Sequence, residues 1–156
     1  MEKYNSSAIE VVDCVGNIKY NCVQNFTADA FRGNIYNNVM NPCLEPGVVD
    51  LKNSDIFLLH LEKIGEFSMK NVTVKNLLLP DVEYLNLENV LIATVDEIHV
   101  KKQRNRNKTN ELKQFDFDHV ISITIESSIV MSNFSIGNVS IVIHHSIIII
   151  YQIHEY

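Results

Sequence analysis

The chain has 156 residues, 46% hydrophobic and 21% charged, with a net charge of −6, which suits one folded domain and excludes a wholly disordered chain. Asn (18) and Ile (19) supply nearly a quarter of it, and these residues favour turns and strands, which argues against an all-helical bundle. With 5 Gly and no Gly-x-Gly-x-x-Gly or Gly-Lys-Ser/Thr run, a phosphate-cradling enzyme of the Gly-rich type is excluded.

Residues 1–45 read as an N-terminal cap. The first seven, Met1 to Ser7, hold no apolar stretch of the kind a secretory leader has. The expectation is a secreted protein whose signal peptide is absent from this chain, with a cytoplasmic protein as the alternative. Cys14, Cys22 and Cys43 are an odd number of cysteines. The short spacing of Cys14 and Cys22 suits a small loop closed by a disulfide in an oxidising compartment. Cys43 is then free or paired between chains, and the alternative is three reduced thiols. No Cys-x-x-Cys occurs and no His follows at zinc spacing, so no structural zinc is expected. Asn5, Asn25, Asn71, Asn107, Asn133 and Asn138 each begin Asn-x-Ser/Thr, the acceptor pattern of secreted glycoproteins.

Residues 46–100 contain three repeats. The octets Val49 to Ile56, Phe67 to Val74 and Leu85 to Ile92 align without gaps, each starting 18 residues after the last. All three have apolar residues at positions one, three and eight, a charged fourth position and Asn fifth. Pro46, Ile64 and Val82 sit three residues before them. Alternation at positions one and three puts two side chains on the inner face of a short strand. One such coil cannot bury that face alone, and stacked coils can. The sequence therefore predicts a mainly β fold: a short solenoid of stacked coils, leucine-rich-repeat-like or a parallel β-helix. Leu51, Met69 and Leu87 are its expected inner column. The segments between octets suffice for a return strand or a single helical turn.

The next octet is due at Gln103, where the pattern breaks into a basic loop, residues 101–114. Lys101 to Lys113 carry +5, leaving −11 for the rest. The acidic remainder argues against nucleic-acid binding by the body of the domain. The run itself reads as a solvated loop, with an anionic partner or a nuclear-import signal as the functional alternatives. Residues 115–156 read as a β-rich C-terminal segment or cap. Ile129, Met131, Asn133 and Ile136 fit the octet, and an overlapping frame from Phe134 fits as well. No stretch reads as a membrane span, since Asn138, His144, His145 and Gln152 interrupt the most apolar run.

Residues with chemical potential are scattered. His144 and His145 are adjacent, so on a strand they point to opposite faces. Asp116, Asp118 and His119 could ligate a metal or form an acid–base pair, but they form one cluster without a partner. No Gly-x-Ser-x-Gly elbow occurs. The expectation is no enzyme, no cofactor and no metal.

Val82, Leu85, Leu87, Val90 and Ile92 resemble the leucine-rich-repeat pattern Leu-x-x-Leu-x-Leu-x-x-Asn/Cys-x-Leu. Ser54, Val72 and Val90 stand where that family has Asn or Cys, and the 18-residue period is shorter than its usual range of roughly 20–29. Cys14 to Cys22, followed by Val49 to Ser54, is similar to the cysteine-containing cap and first repeat of secreted, mosquito immune-type insect leucine-rich-repeat proteins. The resemblance covers about residues 14–100. It implies recognition of a protein partner, or of a second copy, by the polar strand face, in innate immunity. The implied binding residues are Asp50, Ser68 and Asn86 in one stripe and Lys52, Lys70 and Glu88 in the next. Asn53, Asn71 and Asn89 form the adjoining column, or an internal hydrogen-bonded ladder if the solenoid is a parallel β-helix. The competing readings are an intracellular or viral structural β-solenoid that self-assembles, and a β-helix carbohydrate-active enzyme.

Overall fold

The computed structural model describes residues 5–37, 46–101, 109–144 and 149–152. They form β1 (Asn5–Val12), β2 (Val15–Tyr20), β3 (Cys22–Asp29), β4 (Arg32–Asn37), β5 (Gly47–Lys52), β6 (Asp55–His60), β7 (Ile64–Val100), β8 (Asn110–Ile125), β9 (Ile129–His144) and β10 (Ile149–Gln152). Every pairing between these strands is parallel. The chain winds into a β-solenoid of about six turns, with no helix among the described residues. None is therefore long and apolar enough to cross a membrane.

One face of the solenoid stacks β1, β3, β5 and the start of β7. A second face stacks β2, β4, β6 and a later part of β7. β7 is long because it runs unbroken, in one sense, through about two turns of the coil. It meets β5 at Ile64–Lys70, β6 at Thr73–Leu78 and β8 at Asn86–Val100. The return segments are thus mostly strand, and among the described residues no helical turn is used.

The two faces meet at a corner built the same way in coil after coil. Asp13, Ala30, Asn53, Asn71, Asn89, Gln114 and Asn133 all have φ between 51° and 57°. A single residue in this left-handed region reverses the chain's direction sharply, and Asn tolerates it better than most residues. The backbone amides of Asp13, Ala30 and Asn53 donate to the carbonyls of Asp29, Lys52 and Lys70 one coil on, so the ladder continues through the corner.

The core follows from the alternation. Val49, Phe67 and Leu85 are at most 2% exposed, and so are Leu51, Met69 and Leu87. Val72, Val90 and Phe115 fill the position after the corner. Ser54 is the polar member of that column. Its hydroxyl donates to Lys52 O (2.7 Å) and accepts from the Phe31 amide (3.0 Å), which meets its hydrogen-bonding needs under burial.

Stacking extends beyond the three octets in both directions. Residues 5–37, which the sequence marks off as a cap, already supply two ladders. Past the octets, Asn86 faces Glu111, an offset of 25 where the octets have 18, so seven extra residues are inserted. Residues 102–108, most of the basic run, lie outside the described residues, as does Cys43. Asn110 restarts the coil. Buried at 0% exposure, it accepts from the Leu85 amide (2.7 Å) and donates to Ser127 Oγ and Ser128 O (both 2.9 Å). Of the two C-terminal frames, the chain takes the one through Ile129, Met131 and Asn133. Ile129 pairs with Asn110 and Met131 with Leu112, and Asn133 is the corner residue.

The Cys14–Cys22 disulfide expected from spacing does not form. Cys14 carries a free, exposed thiol, and Cys22 is buried and disulfide-bonded. The spacing reads as a loop, whereas the chain between them is the extended β2. Six extended residues cover about 20 Å, far beyond the roughly 6 Å that a disulfide allows between Cα atoms.

Candidate binding face

The six expected binding residues come together on the outward side of the first face, on three consecutive coils. Asp50 pairs with Ser68 and Lys52 with Lys70 in the parallel register. The next coil continues the rows with Asn86 and Glu88, which pair onward with Glu111 and Lys113. On the other side, Thr27 and Asp29 extend the same rows. Lys52 and Lys70 are exposed, and Asp50, Ser68, Asn86 and Glu88 are half-buried. The alternation that turns Leu51, Met69 and Leu87 inward turns these six outward.

The electrostatics of the face are mixed. Along one strand Lys52 Nζ lies 4.0 Å from Asp50, and along another Lys113 Nζ lies 3.4 Å from Glu111. Across strands, Lys52 and Lys70 are like charges in directly paired positions, flanked by Asp29 and Glu88. Neighbouring rows are about 4.8 Å apart, so the face is a regular grid of donors and acceptors on a rigid backbone.

At the edge of this face runs the Asn column. Asn89 Nδ2 donates to Asn71 Oδ1 (2.7 Å), Asn71 Nδ2 to Asn53 Oδ1 (3.1 Å), and Asn53 Nδ2 to Asp29 Oδ1 (3.0 Å). The column is therefore a ladder, as one reading of the sequence expects. It lies on the exposed outer side of the corner, where that reading placed it inside. A left-handed corner points its side chain away from the core, and the inward position falls to the next residue. Asn71 thus heads a glycosylation triplet and is solvent-accessible. Thr73 of that triplet donates to Asp55 Oδ1 (2.8 Å).

Asp116, Asp118 and His119 lie on the second face, apart from the six. Asp116 is half-buried, and Asp118 and His119 are exposed. His119 aligns with Thr94 and Asn138 in the ladder. Among the described residues no three His, Cys, Asp or Glu side chains group as metal ligands. His60 contacts Glu62 two residues on (3.0 Å), and His99 contacts Glu126 of the next coil. The side chain of His144 and all of His145 lie outside the described residues.

Two features of the outer surface escape the sequence reading. The second face carries exposed Phe57, Leu58, Leu91 and Ile121. Phe57 and Leu58 sit where an extra residue bulges the pairing of β6 with β4, and the Leu58 amide is satisfied by Asn34 Oδ1 (2.9 Å). Asn34 Nδ2 in turn donates to Asn17 Oδ1 (2.8 Å), a second polar step between coils. Only the consecutive apolar residues Ile56 to Leu59, which break the alternation, signal the bulge.

The chain matches no protein-family model, no curated protein and no solved structure at a significant level.

Proposed function

We propose that the chain is a non-catalytic recognition module whose binding surface is the outward polar grid of Asp50, Lys52, Ser68, Lys70, Asn86 and Glu88. One observation carries this reading: the six residues share one face, in register, on three adjacent coils. A flat sheet of paired strands holds its side chains at fixed spacing, so little ordering entropy is lost when a partner docks. Both signs of charge, with the Asn86 amide and the Ser68 hydroxyl, suit the polar surface of a protein partner. The directly paired Lys52 and Lys70 repel each other in the free chain, and a carboxylate of the partner would relieve this. The resemblance to secreted immune-type leucine-rich-repeat proteins adds recognition outside the cell as the setting. The disulfide at Cys22 supports an oxidising compartment.

The test is site-directed photo-crosslinking of the full chain in its native host. Benzoylphenylalanine in place of Ser68 is expected to yield a discrete adduct with a partner, and the same group in place of Asp118 on the second face is not. Lack of any adduct at position 68, or identical adducts at both positions, would overturn the reading.

A further inference from the structure

β1 and β2 make up the first coil. Among the described residues each has a single ladder neighbour, β3 and β4 respectively. The core residues of this coil, Ile9, Val11, Ile18 and Tyr20, are only partly buried. Phe26, Ala28 and Ile35, the ladder partners of Ile9, Val11 and Ile18, are at most 2% exposed. At the corner Val12 and Val15 are 51% and 81% exposed, with the exposed Cys14 between them. An unpaired sheet edge with half-covered apolar residues is a template for pairing with another chain.

We infer that this coil docks on the same coil of a second copy, about a two-fold axis through the corner between Asp13 and Cys14. The occupant follows from the symmetry of the coil itself. β1 runs towards the corner and β2 runs away from it. Rotation about an axis through the corner therefore lays β1 antiparallel to β2 of the second copy, and β2 antiparallel to its β1. Counting outward from the axis, Val12 meets Val15 and Ile9 meets Ile18, so exposed faces exposed and core faces core. Lys19 falls opposite Ala8, diagonal to Glu10, and both charged side chains are exposed. Each dimer thus contains two Glu10–Lys19 pairs of opposite charge between copies. The two Asp13 carboxylates approach near the axis and oppose association, a repulsion that salt screens.

The same axis brings the two Cys14 thiols together. With glutathione disulfide as oxidant, one Cys14 thiolate attacks it, forming a mixed disulfide and releasing one glutathione thiol. The second Cys14 thiolate then displaces the remaining glutathione, leaving a Cys14–Cys14 bond and two reduced glutathiones.

Sedimentation velocity of the full chain carrying Cys14→Ser, without reductant so that the disulfide at Cys22 stays closed, separates the outcomes. This otherwise wild-type chain is expected to form a dimer without any disulfide between copies. Glu10→Lys and Lys19→Glu should each raise the dimer dissociation constant about tenfold, since two pairs turn repulsive. The double variant Glu10→Lys/Lys19→Glu should return it to near the wild-type value. Circular dichroism confirms that each variant keeps its strands. Incubation of the wild type with glutathione disulfide should give a covalent dimer that Cys14→Ser abolishes. The proposal is overturned by a monomer at all concentrations, by a double variant as weak as the singles, or by open-ended growth of the head-to-tail kind. The photo-crosslinking at position 68 is independent of all three, because that face lies outside this interface.

Discussion

Asn71 serves backbone and side chain at once. Its φ of 57° turns the corner, and its amide both donates to Asn53 and accepts from Asn89. Asn71→Ala removes both side-chain bonds and leaves a Cβ residue in the left-handed region. Together these should cost about 2 kcal/mol. Asn71→Gly loses the ladder and keeps an unstrained backbone, so it should cost about half as much. Urea denaturation of the two variants separates conformation from hydrogen bonding: equal losses would show that the left-handed backbone costs Ala nothing, and an Asn71→Gly variant as stable as the wild type would show that the ladder contributes nothing. Lys70→Glu, on the neighbouring exposed row, should change stability by less than about 0.5 kcal/mol. Tyr20 raises a different issue. Its hydroxyl is buried with no hydrogen-bond partner among the described residues, and its ring stacks on Phe26 at 5.0 Å. Burial pushes its pKa well above the ordinary tyrosine value, and the nearby Asn37 side chain only partly offsets this. Because the folded pKa is the higher one, the stabilisation from the neutral phenol is complete below the unfolded value of about 10 and is lost as pH rises beyond it. Chemical denaturation from pH 7 to 11 should therefore show a smaller alkaline loss in Tyr20→Phe than in the wild type. At pH 7 that variant should be at least as stable, since it removes a buried hydroxyl that lacks a partner.

At the level of elements, the close approach of β2 and β4 depends on stacked glycines. Gly16 and Gly33 have φ of 150° and 146° and pair directly in the ladder. A Cβ on Gly33 would lie 1.8 Å from the Gly16 carbonyl oxygen, so backbone would have to move. Gly33→Ala is expected to cost about 3 kcal/mol or more and to speed amide exchange across β2. Gly65→Ala is the control, because its nearest contact is 3.1 Å and a small shift relieves it. Unchanged exchange in β2 of Gly33→Ala would mean that the first coil is not held by this ladder. The octet coils were legible in the sequence because no residues interrupt them: the 18-residue period is the coil length, and positions one and three are its inner columns. The earlier coils were hidden for physical reasons. The spacing from the Ala30 corner to the Asn53 corner is 23 residues, so a fixed period misses it. Asp13, Ala30 and Gln114 also turn the corner without Asn, so the Asn signature is silent there. The outward polar grid was legible for the same reason as the core, as the complementary half of one alternation. The sequence left the Asn column open between an outer column and an internal ladder, because alternation cannot report a residue that leaves the strand conformation.

For the whole molecule, the stacking of coils decides how damage spreads. Each coil touches chiefly its two neighbours, so stability is close to a sum of coil and interface contributions. Leu87 is 0% exposed in a central coil, with the other octet coils on one side and β8 on the other. Leu87→Asn leaves a cavity and a buried amide without partners, about 3–5 kcal/mol of destabilisation. That is a large share of the stability of an ordinary domain of about 5–15 kcal/mol. It should also weaken both interfaces of the coil, so amides from β3 to β9 should exchange faster together. Ile18 belongs to the first coil and contacts the core from one side. Ile18→Asn should release residues 8–20 alone and leave the exchange of β5 to β8 at its wild-type rate. Both measurements belong at concentrations below dimer formation, where the first coil has no second copy to cover it. A local response to Leu87→Asn, or a global one to Ile18→Asn, would mean that cooperativity is not carried from coil to coil. The contrast between a central and an end substitution tests the architecture itself, because in a domain with a single closed core a polar residue at either position would speed exchange throughout the fold.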